Sequence, residues 1–249
     1  MDSLGASFRS TTLPAPESTG GQAPAAWLTR ADRLWHTMAE TTVVHLLRHG
    51  EVHNPQGVLY GRLPGYHLSE TGQLMAETVA KAVGGRDIVA LYSSPLERAL
   101  ETAAPLAQKL GLDVVQDDRL IEAQNLLEGR PVGQGLAILR NPRNYRYFWN
   151  PLRPSWGEPY PVIVKRMRAV IDEARAAARG HETVLVSHQL PIWSIRSAAE
   201  GRRLWHDPRR RQCALASLTT FTFDGDRLVS VGYSEPAGSL QAGPSIPGA

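Results

Sequence analysis

The sequence predicts an α/β domain, a three-layer α/β/α sandwich built on a mostly parallel central sheet. Three observations predict it. Short β-branched apolar runs alternate with segments of helical length and period. A chain of 249 residues suits one generous domain and fits two poorly. A content of 42% hydrophobic and 20% charged residues belongs to a folded globular chain rather than a disordered one.

The elements follow in order. Residues 1–37 are rich in Ser, Thr, Pro, Gly and Ala without a sustained period, and read as a flexible extension. Met38 opens what looks like a natural domain start; an upstream start and a short docked helix around Trp27, Leu28, Leu34 and Trp35 both stay open. Thr42–Leu47 is a short β-branched run ending abruptly at Arg48-His49-Gly50, as a buried parallel strand does. Ser69 to Ala82 reads as a helix, with Ser69 as N-cap and Gly84-Gly85 as the stop. Ile88–Tyr92 is the next strand. Ser94-Pro95 is expected to start a helix with Ser as cap and Pro at the first helical position. Pro105 is expected to break or kink it before Leu110-Gly111.

Arg119–Glu122 reads as a further strand edge. Across residues 123–159 the pattern dissolves into Gly, Pro, Asn, Arg and aromatic residues, which reads as an insertion. Tyr160 to Arg179 is helical, Thr183–Ser187 is a strand, and a helix follows from Gln189. Ala216–Phe223 and Arg227–Tyr233 are strands joined at Asp224-Gly225, a hairpin signal. The domain is expected over residues 38–236, with a small, polar, frayed tail over 237–249. No internal repeat is evident.

Composition removes several classes of function. Lys and Arg outnumber Asp and Glu by only 27 to 24, too small an excess to indicate nucleic acid. The run Arg209-Arg210-Arg211 reads as a solvated surface, and would also suit a small anionic substrate. No apolar run approaches the roughly 20 residues that cross a bilayer. The first forty residues contain no secretory apolar core. A cytoplasmic enzyme with neither nucleic-acid nor membrane partners is expected. Cys213 is the only cysteine, which excludes an intrachain disulfide and a cysteine-cluster metal site; it reads as a small buried hydrophobe.

In a parallel sheet, ligands gather beyond the carboxyl ends of the strands. Here those ends carry Arg48-His49, Ser93-Ser94 and Ser187-His188. A histidine attacks phosphorus only if it is neutral, oriented and beside groups that neutralise the phosphoryl oxygens. The adjacent Arg48 offers a planar, permanently ionised fork that matches phosphate, and Gly50 lets the backbone approach an anion closely. Arg98 sits near a helix start, where amide groups and the helix dipole already favour anions. Two imidazoles and two guanidinium groups can thus surround one phosphoryl group.

The segments LLRHGEVHN, YGRLPGYHLSETG, YSSPLERALETA, DDRLIEA and LVSHQLPI, in this order and across about residues 42–235, resemble the histidine phosphatase superfamily, in its phosphoglycerate-mutase-like branch. The resemblance implies that His49 is transiently phosphorylated, that Arg48, Arg98 and His188 bind the phosphoryl group, and that a carboxylic acid protonates the leaving group. Glu122 matches the acid of one family branch, whereas Gln189 stands where another carries Asp. An acid of this kind needs a partly desolvated pocket to keep its proton; Glu51, Asp118 and Glu128 are the alternatives. The resemblance also implies a place beside phosphate for Arg62; Asn54, through a re-shaped loop, and Gln189, through its backbone N–H or its amide, are further substrate-binding candidates. Two positions depart from the pattern. The family's Asn falls where Pro55 stands, one residue beyond Asn54, and the residue after the second histidine is commonly Gly rather than Gln189.

Other residues carry blander readings. His45 is expected to be a satisfied core histidine, and His53 and His67 loop residues near the site mouth. His49, Glu51 and His53 alternate as metal ligands on a strand do, but Gly50 and Pro55 argue against a continuing strand. Tyr145, Tyr147, Phe148, Trp149 and Trp156 suit a substrate lid or the insertion's own small core; Arg140, Arg143 and Arg146 lie among them. The expected function is metal- and cofactor-independent hydrolysis of a small phosphomonoester through phosphohistidine. A phosphoglycerate-type phosphomutase and a non-catalytic phospho-ligand module are the rivals. Substrate identity and oligomeric state, a homodimer included, stay open.

Overall fold

The computed structural model describes residues 41–131 and 157–241. Both the extension 1–37 and most of the insertion, with its aromatic residues and Arg140, Arg143 and Arg146, lie outside the described residues. Six strands form one sheet: β1 (Thr41–Arg48), β2 (Ile88–Ser93), β3 (Val114–Gln116), β4 (Glu182–Ser187), β5 (Leu218–Asp224) and β6 (Arg227–Ser234). Their order is β3-β2-β4-β1-β5-β6. The pairings β3–β2, β2–β4 and β4–β1 are parallel, and β5 and β6 add an antiparallel hairpin at one edge. The sheet is mostly parallel, as expected.

Alternation along the strands builds the three layers. Val44 and Leu46 of β1 and Leu185 of β4 face one side, where they meet helices α3 (Tyr160–Ala177) and α4 (Gln189–Ala199) through Ile163, Met167, Val170 and Ile192. Leu47 of β1 with Val184 and Val186 of β4 face the other side. There they meet α1 (Glu70–Val83) and α2 (Glu97–Leu110) through Met75, Val79, Ala103 and Leu106. Strands buried on both faces are apolar over most of their length, so β1 and β4 show no regular polar alternation.

Local rules held where sequence and burial agreed. Ser69 caps α1, accepting from Gly72 N at 3.0 Å, and Gly84 ends it. They gave way elsewhere. α2 runs through Pro105 to Leu110, because Ala99, Thr102, Ala103 and Leu106 bury its inner face and tertiary packing outweighs one missing amide. Its N-cap is Leu96, which has no capping side chain; the Ser94 hydroxyl oxygen accepts from Leu96 N at 3.4 Å, ahead of the helix. Arg119–Glu122 is not a strand; Asp118–Leu120 forms a short 3₁₀ turn capped by Asp117, and the edge strand lies just before it at β3. The start of the tail is packed rather than frayed, with Ala237 fully buried and Gly238–Leu240 in a further 3₁₀ turn.

Two glycines bring the loop after β1 against α1. A Cβ on Gly50 would lie 2.6 Å from Gly72 O, and one on Gly72 would lie 2.0 Å from Glu51 O. Gly72→Ala should therefore destabilise the protein by about 1–3 kcal/mol, although alanine at an open helical site is favoured over glycine by about 1 kcal/mol. A urea transition with a lower midpoint and unchanged slope checks this; a midpoint that rises would mean that the backbones can part freely.

Candidate active site

Parallel register sets the carboxyl ends of the strands level. Arg48 pairs with Ser187, and Ser93 pairs with Val186. The chain leaves each strand through a backbone bond to its neighbour, His49 N to Ser187 O at 3.2 Å and Ser94 N to Val186 O at 2.9 Å. These bonds deliver His49, His188 and Arg98 to one crevice. The His49 and His188 ring centroids are 5.1 Å apart. Arg48, His49, Arg98 and His188 are each at most 2% exposed.

The tautomers can be read from their partners. His49 Nδ1 lies 2.8 Å from Gly50 O, and a carbonyl only accepts, so Nδ1 carries the hydrogen and Nε2 keeps its lone pair. Burial first, then the charges of Arg98 and Arg48, hold the His49 pKa well below its ordinary value. The same burial and the Arg98 charge keep His188 neutral. His188 Nε2 meets Ser94 Oγ at 2.8 Å, while His188 Nδ1 is buried without a hydrogen-bond partner. With the serine donating to Nε2, Nδ1 carries the proton and can donate into the crevice.

Arg98 gives Nη2 to Gly61 O at 2.6 Å, and its Nε and Nη1 are buried without partners. Buried guanidinium donors left unpaired are costly, and an anion satisfies them. Tyr60 supports the group, its ring 4.7 Å from the Arg98 guanidinium carbon and 6.4 Å from the His49 ring. Arg48 is anchored through Nη1 to Cys213 O at 2.7 Å. Thr102 ties the loop to α2, accepting from Gly50 N at 3.0 Å and donating to Arg98 O at 2.6 Å. The arrangement can hold a tetrahedral anion beside a neutral imidazole with a free lone pair.

Glu122 feels the charge of Arg98. Burial raises its pKa against the pull of the Ala123 amide and of Arg98, Arg211 and Arg166. Its segment is clamped from several sides. Arg62 Nε donates to Glu122 O at 2.6 Å, Arg166 Nη1 to Arg119 O at 2.6 Å and Ser187 Oγ to Leu120 O at 2.6 Å. Glu158 joins the two arginines, meeting Arg62 at 3.0 Å and Arg166 at 2.9 Å. The other carboxylates are placed differently. Glu51 accepts from the Ser69 hydroxyl at 2.6 Å, Asp118 is exposed, and Glu128 accepts from Asn125 N at 3.1 Å.

A family model described as "Histidine phosphatase superfamily (branch 1)" matches residues 44–236. The chain belongs to this superfamily. An uncharacterised protein of Mycobacterium tuberculosis is 58% identical over 200 residues, spanning 80% of this chain and 99% of that one. A protein of Yersinia enterocolitica named a probable phosphoglycerate mutase is 31% identical over 187 residues, 70% of this chain and 83% of its own. Among solved structures, a mycobacterial glucosyl-3-phosphoglycerate phosphatase superposes with a TM-score of 0.61 at 26% identity, covering 73% of this chain and 90% of that one. The neighbours of this histidine phosphatase superfamily member thus include both phosphatases and mutases.

Of the residues singled out from sequence, Arg48, His49, Arg98 and His188 converge, with Glu122 in electrostatic contact with Arg98. Arg62 reaches the Glu122 backbone and Glu158 instead of holding a free guanidinium toward the crevice. Asn54 closes its own loop, donating to Val58 O at 2.8 Å and accepting from Val58 N at 3.0 Å. Gln189 is buried and accepts from Arg211 at 3.2 Å. His45 is a satisfied core residue between Thr220 and Glu182. Exposed His67 bonds Glu101. The Cys213 thiol is buried and its pKa pushed up by that burial. Sequence reasoning missed Tyr60, the Ser94–His188 bond and Arg211, which it had merged into a surface run.

Proposed function

We propose that the protein is a phosphomonoester hydrolase working through a phosphohistidine at His49. Support comes chiefly from the 5.1 Å spacing of His49 and His188 around unpaired Arg98 donors. His49 Nε2 attacks phosphorus in line, the bond from phosphorus to the ester oxygen breaks, and the departing alkoxide takes the Glu122 proton. Arg48, Arg98 and the Nδ1 proton of His188 neutralise the equatorial oxygens, each such donor contributing roughly 3–4 kcal/mol of transition-state stabilisation. Water then attacks the phosphohistidine and yields its proton to the Glu122 carboxylate, which releases phosphate and restores His49. The reading calls for no metal or organic cofactor, because arginines and histidines supply the charge that Mg²⁺ supplies elsewhere.

The mutase relative gives the second reading its footing. Incubation with p-nitrophenyl phosphate and a panel of phosphorylated metabolites separates the two. Phosphate release is expected; isomer interconversion that depends on added 2,3-bisphosphoglycerate, with little free phosphate, would make the protein a mutase. Binding of phosphate or vanadate with no turnover would make it a non-catalytic module.

The pKa directions set the pH profile. His49 must be neutral, and its lowered pKa means activity on the acid side is lost only well below pH 6.5. Glu122 must hold its proton for the first step, and its raised pKa extends activity upward before the alkaline limb. A profile of kcat/KM should therefore fall on the alkaline side as Glu122 ionises. Persistence of that limb in Glu122→Gln would assign it to another group.

A further inference from the structure

We propose that Ser94 is a positioning residue for the reaction, donating to His188 and so fixing that imidazole in its Nδ1–H form. His188 is thereby assigned the part of donor to the phosphoryl oxygens, and attack is left to His49 alone. The inference deepens the phosphatase reading and rests on it. The two rings are locked by opposite means. His49 Nδ1 meets a carbonyl, Gly50 O at 2.8 Å, and an acceptor there holds the hydrogen on Nδ1 and leaves the lone pair at Nε2. His188 meets a hydroxyl instead, Ser94 Oγ at 2.8 Å from Nε2, and a hydroxyl can give or take. Burial and the Arg98 charge keep the His188 ring neutral, so it has one hydrogen to place. The direction of that single bond decides what the ring can do.

The surroundings choose the direction. Ser94 is fully buried, and its hydroxyl oxygen already accepts from Leu96 N at 3.4 Å. Were His188 to donate to it as well, the hydroxyl hydrogen would have no acceptor among the described residues, and Nδ1 would turn a lone pair into a crevice built for an anion. With the serine donating, its hydrogen and the Nε2 lone pair are both satisfied. The one group left over is Nδ1–H, buried without a partner. Such a donor is costly while empty and is satisfied by an anion. Ser93 does not compete for the imidazole, since its hydroxyl donates to Ser94 O at 2.9 Å. Both ends of the bond hang on β4. Ser94 N donates to Val186 O at 2.9 Å, and His188 leaves the same strand two residues later as the N-cap of α4. The hydroxyl and the ring are therefore held in register before any ligand arrives.

The test reads the tautomer directly. Proton–nitrogen correlation spectra of protein carrying isotope-labelled histidine, without added anion, show which ring nitrogen bears hydrogen, and His188→Ala identifies the His188 signals. Wild-type His188 should carry its hydrogen on Nδ1, and Ser94→Ala should show a mixture of both forms. A wild-type hydrogen on Nε2 overturns the proposal without reference to any variant, and so does a Ser94→Ala protein that keeps Nδ1–H alone. With p-nitrophenyl phosphate, Ser94→Ala should lower kcat/KM roughly 10- to 100-fold and weaken orthovanadate binding by a similar factor. In the His188→Ala background the same substitution should cost less than about twofold, because a residue acting through the imidazole has nothing left to act on. An unchanged kcat/KM, or equal losses in the two backgrounds, would make Ser94 a packing residue and overturn the proposal. Absence of turnover on every ester, with the tautomer change and the vanadate loss intact, would remove the phosphatase reading and leave Ser94 as the residue that readies His188 for an anion.

Discussion

Replacing His49 with alanine is expected to lower phosphate release by roughly five to six powers of ten, as loss of an attacking nucleophile does in enzymes whose catalytic groups act together. Among the described residues no neighbour can substitute. His188 directs Nε2 to Ser94, and Cys213 is buried with its thiol pKa raised. The imidazole itself is small and its loss leaves the strand pairing of β1 intact, so the melting temperature should change far less than the rate. Wild type quenched during turnover should carry one acid-labile, base-stable phosphoryl group, and the variant none. Turnover by His49→Ala within tenfold of wild type would mean that water attacks the ester directly.

Glu122→Gln carries the next largest effect. The amide is nearly the same size and keeps the contact with the Ala123 amide, which donates to Glu122 Oε1 at 2.7 Å, but it cannot deliver a proton. Alkyl phosphates, whose leaving alkoxides are strong bases, should slow by roughly two to four powers of ten. A p-nitrophenyl ester, whose leaving group departs without help, should slow far less in its first step. Equal slowing of both classes would place the acid elsewhere. Glu51 and Glu128 would then need to give up the bonds they make to Ser69 and Asn125.

The contrast between Arg98 and Arg211 shows how far the sequence could be read. Arg98 was legible because it sits inside a motif, one turn from a strand end, with a helix start to aim it. β1, β4 and the two helices packed beside them were legible for the same reason, since burial and local pattern pointed the same way. Arg211 was not, because it closes a run of three arginines with no period to tell the third from the others. Its inward turn depends on His206 and Gln189, the latter distant in sequence. Ser94 misled in a different manner. Its position before Pro95 fits a helix cap, but α2 begins two residues later than that reading places it, at Glu97 after Leu96, and the hydroxyl lies against the buried His188 imidazole. Three-residue β3 lay below the length at which alternation can be recognised, and α2 passed Pro105 because packing, which no local rule counts, sustained it.

Glu158 lies one residue past Gly157, where the returning chain bridges to Asn125, and it grips both arginines that fasten the loop bearing Glu122. The point where residues 132–156 rejoin the described chain is therefore moored to the loop that holds Glu122. On the proposed mechanism, a change of sequence in that stretch pulls on the proton donor as well. Lineages that change their ligand should carry compensating changes at positions 62, 158 or 166, and swapping the insertion alone between relatives should cost speed even where affinity survives.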